Sequence, residues 1–148
     1  PTGGIVAAVT TSLPEQLGGE RNWDYRFCWL RDATMTLLAF MNLGYFDEAQ
    51  DWREWLLRSV AGNPEQMQIM YGLGGERDLQ EYTLPWLPGY EHSQPVRVGN
   101  AASAQAQLDI YGELADAMSQ AIKGGLPRHP RSAAISRLIL PYVERIWR

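Results

Sequence analysis

Cysteine is nearly missing from this 148-residue chain: Cys28 stands alone, which excludes an internal disulfide and fits a reducing cytoplasm. Cys28 also lacks the Cys or His neighbours of a metal site and reads as a small buried hydrophobe, so neither a metal nor another cofactor is expected. No apolar run reaches the roughly 18 residues of a membrane helix, and no signal peptide is visible. A long basic run is also absent, and the net charge of −4 argues against nucleic acid as a partner. The opening Pro1-Thr2-Gly3-Gly4 has no initiator Met and reads as the start of a piece of a longer protein. Aromatics, by contrast, are plentiful, with six Trp and seven Tyr. Aromatic enrichment without basic charge points to carbohydrate more than to nucleic acid.

The densest stretch runs from Asn22 to Ala33. It holds four aromatics (Trp23, Tyr25, Phe27, Trp29) and four charges (Asp24, Arg26, Arg31, Asp32). A core segment would not carry so many charges, because an unpaired buried charge costs several kcal/mol. A plain surface segment would not expose so many rings. Sugars suit such a mixture: their C–H faces lie on aromatic rings and their hydroxyls need paired donors and acceptors. In Arg31-Asp32, the carboxylate can accept from two neighbouring hydroxyls through strong charge-assisted bonds, and the guanidinium adds a planar fork of donors. A helical pattern starts here, which places Asp32 in a first turn favoured by the helix dipole. The alternative is an ion pair that only ties a helix start to its neighbour.

Along the chain, residues 2–9 read as a short extended segment leading into a loop. Apolar spacing predicts a helix over 29–43 stopped by Gly44, and a second over 47–61 closed by Gly62-Asn63-Pro64. The short link between them implies an antiparallel pair, with Trp52 and Trp55 as core rings. Residues 68–71 and 79–82 read as two strands around Gly72-Leu73-Gly74-Gly75, followed by a Pro-punctuated loop. A third helix is expected from Asn100 or Ala101 to Ile122, with Ala104, Leu108, Tyr111, Ala115 and Met118 on its stripe. A fourth runs from a Ser132 cap toward Trp147, kinked or split at Pro141. The expected class is all-α, with no internal domain boundary over 1–148.

These stretches resemble glycoside hydrolase family 15, the glucoamylase and bacterial trehalase group. The likeness rests on Thr2-Gly3-Gly4-Ile5-Val6-Ala7-Ala8, on Asn22 to Ala33, on Gln68-Ile69-Met70-Tyr71-Gly72, and on Pro95-Val96-Arg97-Val98-Gly99-Asn100-Ala101-Ala102 with Gln107 to Glu113. It implies a partial (α/α)6 barrel of alternating inner and outer helices with a short β-hairpin and loop insertion. The helices at 29–43 and 101–122 would be inner, and the other two outer. It also implies a terminal-glucose subsite built from Tyr25, Trp29, Arg31, Asp32 and Arg97. The expected partner is an α-glucoside such as trehalose or a maltooligosaccharide.

An inverting glycosidase needs two carboxyl groups about 6.5–9.5 Å apart, one acid and one base. The family's sequence contexts for that pair do not occur here, so the catalytic residues are expected beyond residue 148 and the chain alone is expected to be inactive. Glu76 and Glu81 read as solvated surface carboxylates, Glu54 lies on an outer helix, and His92 reads as a solvated loop side chain. Uncovered apolar faces make self-association an expectation as well. Two alternatives remain: a non-catalytic sugar-binding or regulatory protein on the same fold, and a helical interaction scaffold.

Overall fold

The computed structural model describes residues 2–148. Its elements are β1 (Cys28–Trp29), α1 (Leu30–Leu43), α2 (Phe46–Ser59), β2 (Met70–Tyr71), β3 (Tyr82–Thr83), β4 (Arg97–Val98), α3 (Asp109–Lys123) and α4 (Pro130–Ile146). The described chain is mostly helical, with two short antiparallel ladders. None of its helices is long and apolar enough to cross a membrane.

α1 forms where the 3.6-residue spacing predicts it. It buries Leu30, Ala33, Thr34, Leu37 and Met41 on one face. Gly44 ends it in the left-handed conformation at φ 85°, with its amide donating to the Met41 carbonyl and the next amide, Tyr45, to Phe40. This is a Schellman closure, which glycine permits without a Cβ penalty. α2 follows at once, carrying Asp47 and Glu48 in its first turn and Arg58 in its last, as the helix dipole favours. Trp52 and Trp55 are buried in the core, as expected, and the Trp55 indole donates to the Leu73 carbonyl at 2.9 Å. α1 packs chiefly against α3, and also against α2; α4 leans on α3 and on the 3-10 turn Pro64–Gln66. Leu37, Leu56, Leu57 and Leu114 join the two indoles in a single cluster. Each such buried side chain contributes about 1.5–3 kcal/mol, offset by conformational entropy.

Four expectations need correction. The strands around the Gly-rich turn do not pair with each other. Met70–Tyr71 pairs with Cys28–Trp29, and Tyr82–Thr83 pairs with Arg97–Val98. The turn is instead closed locally, by the Gly72 amide on the Glu76 carbonyl and the Gly74 amide on the Glu76 carboxylate. The third helix starts at Asp109, not at 100–101. A separate 3-10 turn covers Ala101–Ala104, capped by the Asn100 side chain on the Ala102 amide, and Gln105 then goes extended. Its buried face is Ile110, Tyr111, Leu114, Ala117, Met118 and Ala121, while Ala104, Leu108 and Ala115 are exposed. The fourth helix is capped by His129 rather than Ser132: the ring Nδ1 accepts from the Arg131 amide, and Pro130 opens the helix. Pro141 is accommodated inside that helix on its exposed side.

Candidate functional site

The two ladders and one buried carboxylate position the candidate residues. β1 pairs with β2 in register Cys28↔Tyr71 and Trp29↔Met70, and the Leu30 amide donates to the Ile69 carbonyl at 3.0 Å. The first turn of α1 is therefore pinned to 69–71, with Trp29 as the last extended residue before it. Cys28 is fully buried here; burial, reinforced by the Glu76 charge, pushes its thiol up to about 12, so it stays an inert hydrophobe.

Asp24 is the knot of the preceding loop and has no exposed surface. Its carboxylate accepts two bonds from the Arg26 guanidinium, at 2.9 and 2.8 Å, one from the Arg26 amide and one from the Gly99 amide. Its carbonyl accepts from the Asn100 side chain. Burial by itself raises the carboxyl, but the hydrogen bonds from Arg26 and Gly99 outweigh it and hold Asp24 below the usual carboxylate range. Gly99 sits at φ 80°, and a Cβ there would drive into the Gln80 carbonyl oxygen. Ser12 completes the clamp from the other side. At φ 56° it is a strained non-glycine residue, and its hydroxyl both accepts from the Arg97 amide and donates to the Arg97 carbonyl.

On this frame Tyr25 and Trp29 come just before α1 and Arg31 and Asp32 fall in its first turn; Tyr25, Arg31 and Asp32 are exposed and Trp29 is half-buried. The Tyr25 and Trp29 rings are 5.7 Å apart and tilted, with Phe27 behind Trp29 at 6.5 Å. Arg31 and Asp32 are exposed, and their closest approach is only 4.0 Å. Arg31 instead donates to Asp109 at the start of α3, at 3.0 Å. The Asp32 carboxylate is thus left facing solvent. Arg97 has other partners. Its guanidinium stacks on Trp23 at 4.4 Å, lies 3.3 Å from Glu81 and donates to the Glu20 carbonyl. Among the described residues no hydrogen bond or ion pair joins Arg97 to Tyr25, Trp29, Arg31 or Asp32.

Glu81 is not the solvated carboxylate expected: it is largely buried, held between Arg97 and the Ala101 amide. Glu76 is exposed but turned back onto its own loop. Glu54 faces Arg53 and His129, and His92 is exposed in a 3-10 turn. Hollows of about 360 and 500 Å³ lie elsewhere, beside residues 103–108 and beside residues 77–81, and none of the five sequence-predicted residues lines either. Among the described residues no three His, Cys, Asp or Glu side chains converge as metal ligands would.

Sequence reasoning missed Asp24, Ser12, Glu81 and Asp109. The Asp24 spacing did carry a signal, because an Asp accepting from the amide two residues on is an Asx turn. The other three act across long sequence separations and left no local mark.

An exposed arginine–carboxylate pair close in sequence to two packed aromatic rings offers the groups that a sugar's hydroxyls and C–H faces need. The chain belongs to the glycosyl hydrolases family 15, whose profile matches residues 1–148. It is 50% identical over 119 residues to a trehalase of Mycobacterium tuberculosis, covering 78% of this chain and 18% of that protein. It is 46% identical over 119 residues to trehalase 1 of Sulfolobus acidocaldarius (80% of this chain, 21% of that protein), and 40% identical over 148 residues to a trehalase of Thermoplasma volcanium (100% and 23%). The chain therefore spans roughly a fifth of the length of these relatives. No solved structure matches it.

Proposed function

We propose that this chain is the N-terminal portion of an (α/α)6 catalytic domain that hydrolyses an α-glucosidic bond with inversion, and that it supplies part of the terminal-glucose subsite. Among α-glucosides the proposed substrate is trehalose, the substrate implied by the relatives' names. The observation that carries the reading is the Asp32 carboxylate, exposed at the start of α1 beside Arg31 and close in sequence to the paired rings of Tyr25 and Trp29. Asp32 would accept from two adjacent sugar hydroxyls, Arg31 would donate to the same face, and the rings would take the C–H face. Arg97 would act from its own loop, since Nη2 has no hydrogen-bond partner among the described residues. In the proposed barrel α1 and α3 are inner helices and α2 and α4 outer ones. The extensive packing of α1 on α3 supports that layout. Exposed Met35, Leu138 and Leu140 would be covered by further helices; in the isolated chain the same faces favour self-association.

The acid and base are proposed to lie outside these 148 residues. Glu54, Glu76 and Glu81 are each engaged with protein groups, which supports that placement. The test is glucose release from trehalose by the full-length protein and by its Asp32→Ala variant. Release that depends on Asp32, with none from the 148-residue chain alone, is the expected result. Hydrolysis indifferent to Asp32, or turnover by the short chain, overturns the reading.

A further inference from the structure

Arg31 faces a choice between two carboxylates, and the geometry resolves it. Its sequence neighbour Asp32 comes no nearer than 4.0 Å, whereas Asp109, 78 residues away on α3, accepts from Nη1 at 3.0 Å. Asp109 stands in the first turn of α3, where the helix dipole favours a negative charge. A guanidinium is a planar fork; fixing one nitrogen sets the direction in which the others point. Anchoring Arg31 on Asp109 also keeps it from closing onto Asp32, which would otherwise spend its acceptors on its own neighbour.

We propose that Asp109 is a positioning residue for the sugar-holding pair. It orients the Arg31 guanidinium from the adjacent helix and leaves the Asp32 carboxylate free for hydroxyl groups. The inference rests on the glucose-subsite reading of Arg31 and Asp32. The competing role for the same contact is simply to pin α1 to α3. The two side chains are 44% and 43% exposed, and ion pairs so exposed contribute little to stability. Activity and stability therefore separate the two roles.

The experiment measures trehalose hydrolysis and thermal unfolding of the full-length protein with Asp109→Ala, Asp109→Asn, Arg31→Ala and the Asp109→Ala/Arg31→Ala double substitution. Asp109→Ala should lower kcat/KM about ten- to a hundredfold, the scale of a misplaced orienting group, with the unfolding midpoint unchanged. Asp109→Asn keeps an oxygen acceptor for Nη1 and should recover most of that loss, again with the midpoint unchanged, whereas a pinning role would move activity and midpoint together. The double variant should be no worse than Arg31→Ala alone, because Asp109 acts only through Arg31. Asp109→Ala within about twofold of the parent, or losses that multiply in the double variant, overturns the positioning role while leaving the subsite intact. A fall in midpoint that tracks the fall in kcat/KM across the variants assigns the contact to pinning and overturns the positioning role. Full activity of Arg31→Ala overturns the subsite reading and this inference with it.

Discussion

Two arginine–aspartate pairs lie within nine residues of each other and are built in opposite ways. Asp24 and Arg26 form a closed unit: the carboxylate has no exposed surface, takes bonds from both a guanidinium and two amides, and ties the loop at 22–26 to residues 99 and 100. Arg31 and Asp32 are exposed, 4.0 Å apart, with the arginine drawn to another helix and the carboxylate facing outward. The chemistry of the groups is the same, so the difference lies in what surrounds them. A carboxylate whose acceptors are all used can only hold structure. One whose acceptors face solvent can hold a ligand at no cost to the fold. Composition cannot separate the two cases; the partners of each oxygen can.

This contrast predicts a double dissociation. In the full-length protein, Asp32→Ala should lower kcat/KM for trehalose on the order of a thousandfold, since two charge-assisted hydrogen bonds at about 1.5–3 kcal/mol each are removed. Its chemical-denaturation midpoint should stay that of the parent. Asp24→Ala should do the reverse first: urea titration should show destabilisation of about 2–3 kcal/mol, because buried amides and a paired guanidinium lose their acceptor. An Asp24 variant with normal stability would erase the distinction between the two pairs.

Acid should single out the same carboxylate. The folded-state pKa of Asp24 is depressed, so its contribution to stability is fully present above the ordinary carboxylate value of about 3.9 and is lost as pH falls through the lower folded value. Asp24→Asn should therefore flatten the acid limb of the stability–pH curve. Gly44→Ala, at the far end of α1 from both pairs, sets the scale of a purely local change. Forcing a Cβ into φ 85° should cost about 1–2 kcal/mol by the same urea titration, without altering the KM for trehalose.

Much of the helical fold was legible because its signals are local. The spacing of Leu30, Ala33, Leu37 and Met41, the stop at Gly44 and the indoles of Trp52 and Trp55 all follow from a repeat within one element. The pairing of two-residue strands was not legible. Cys28–Trp29 finds Met70–Tyr71 through the fold, and no pattern two residues long can name its partner. The start of α3 was misplaced because Asn100, Glu81 and Gln68 capture the preceding turn from outside the helix. Within the candidate site, residue types and their order drew attention to Tyr25, Trp29, Arg31 and Asp32. That Asp109 rather than Asp32 takes the Arg31 guanidinium is a fact of helix packing, invisible at a separation of 78 residues.

The hydrogen bond from Gly99 to Asp24 spans 75 residues. On a ribosome working at about 5–20 residues per second, the indole-rich segment around Trp23 and Trp29 must wait roughly 4–15 s before its clamp exists. Through that interval its rings have no finished surface to rest on. Until residue 99 emerges, those indoles are the part of the nascent chain most open to aggregation.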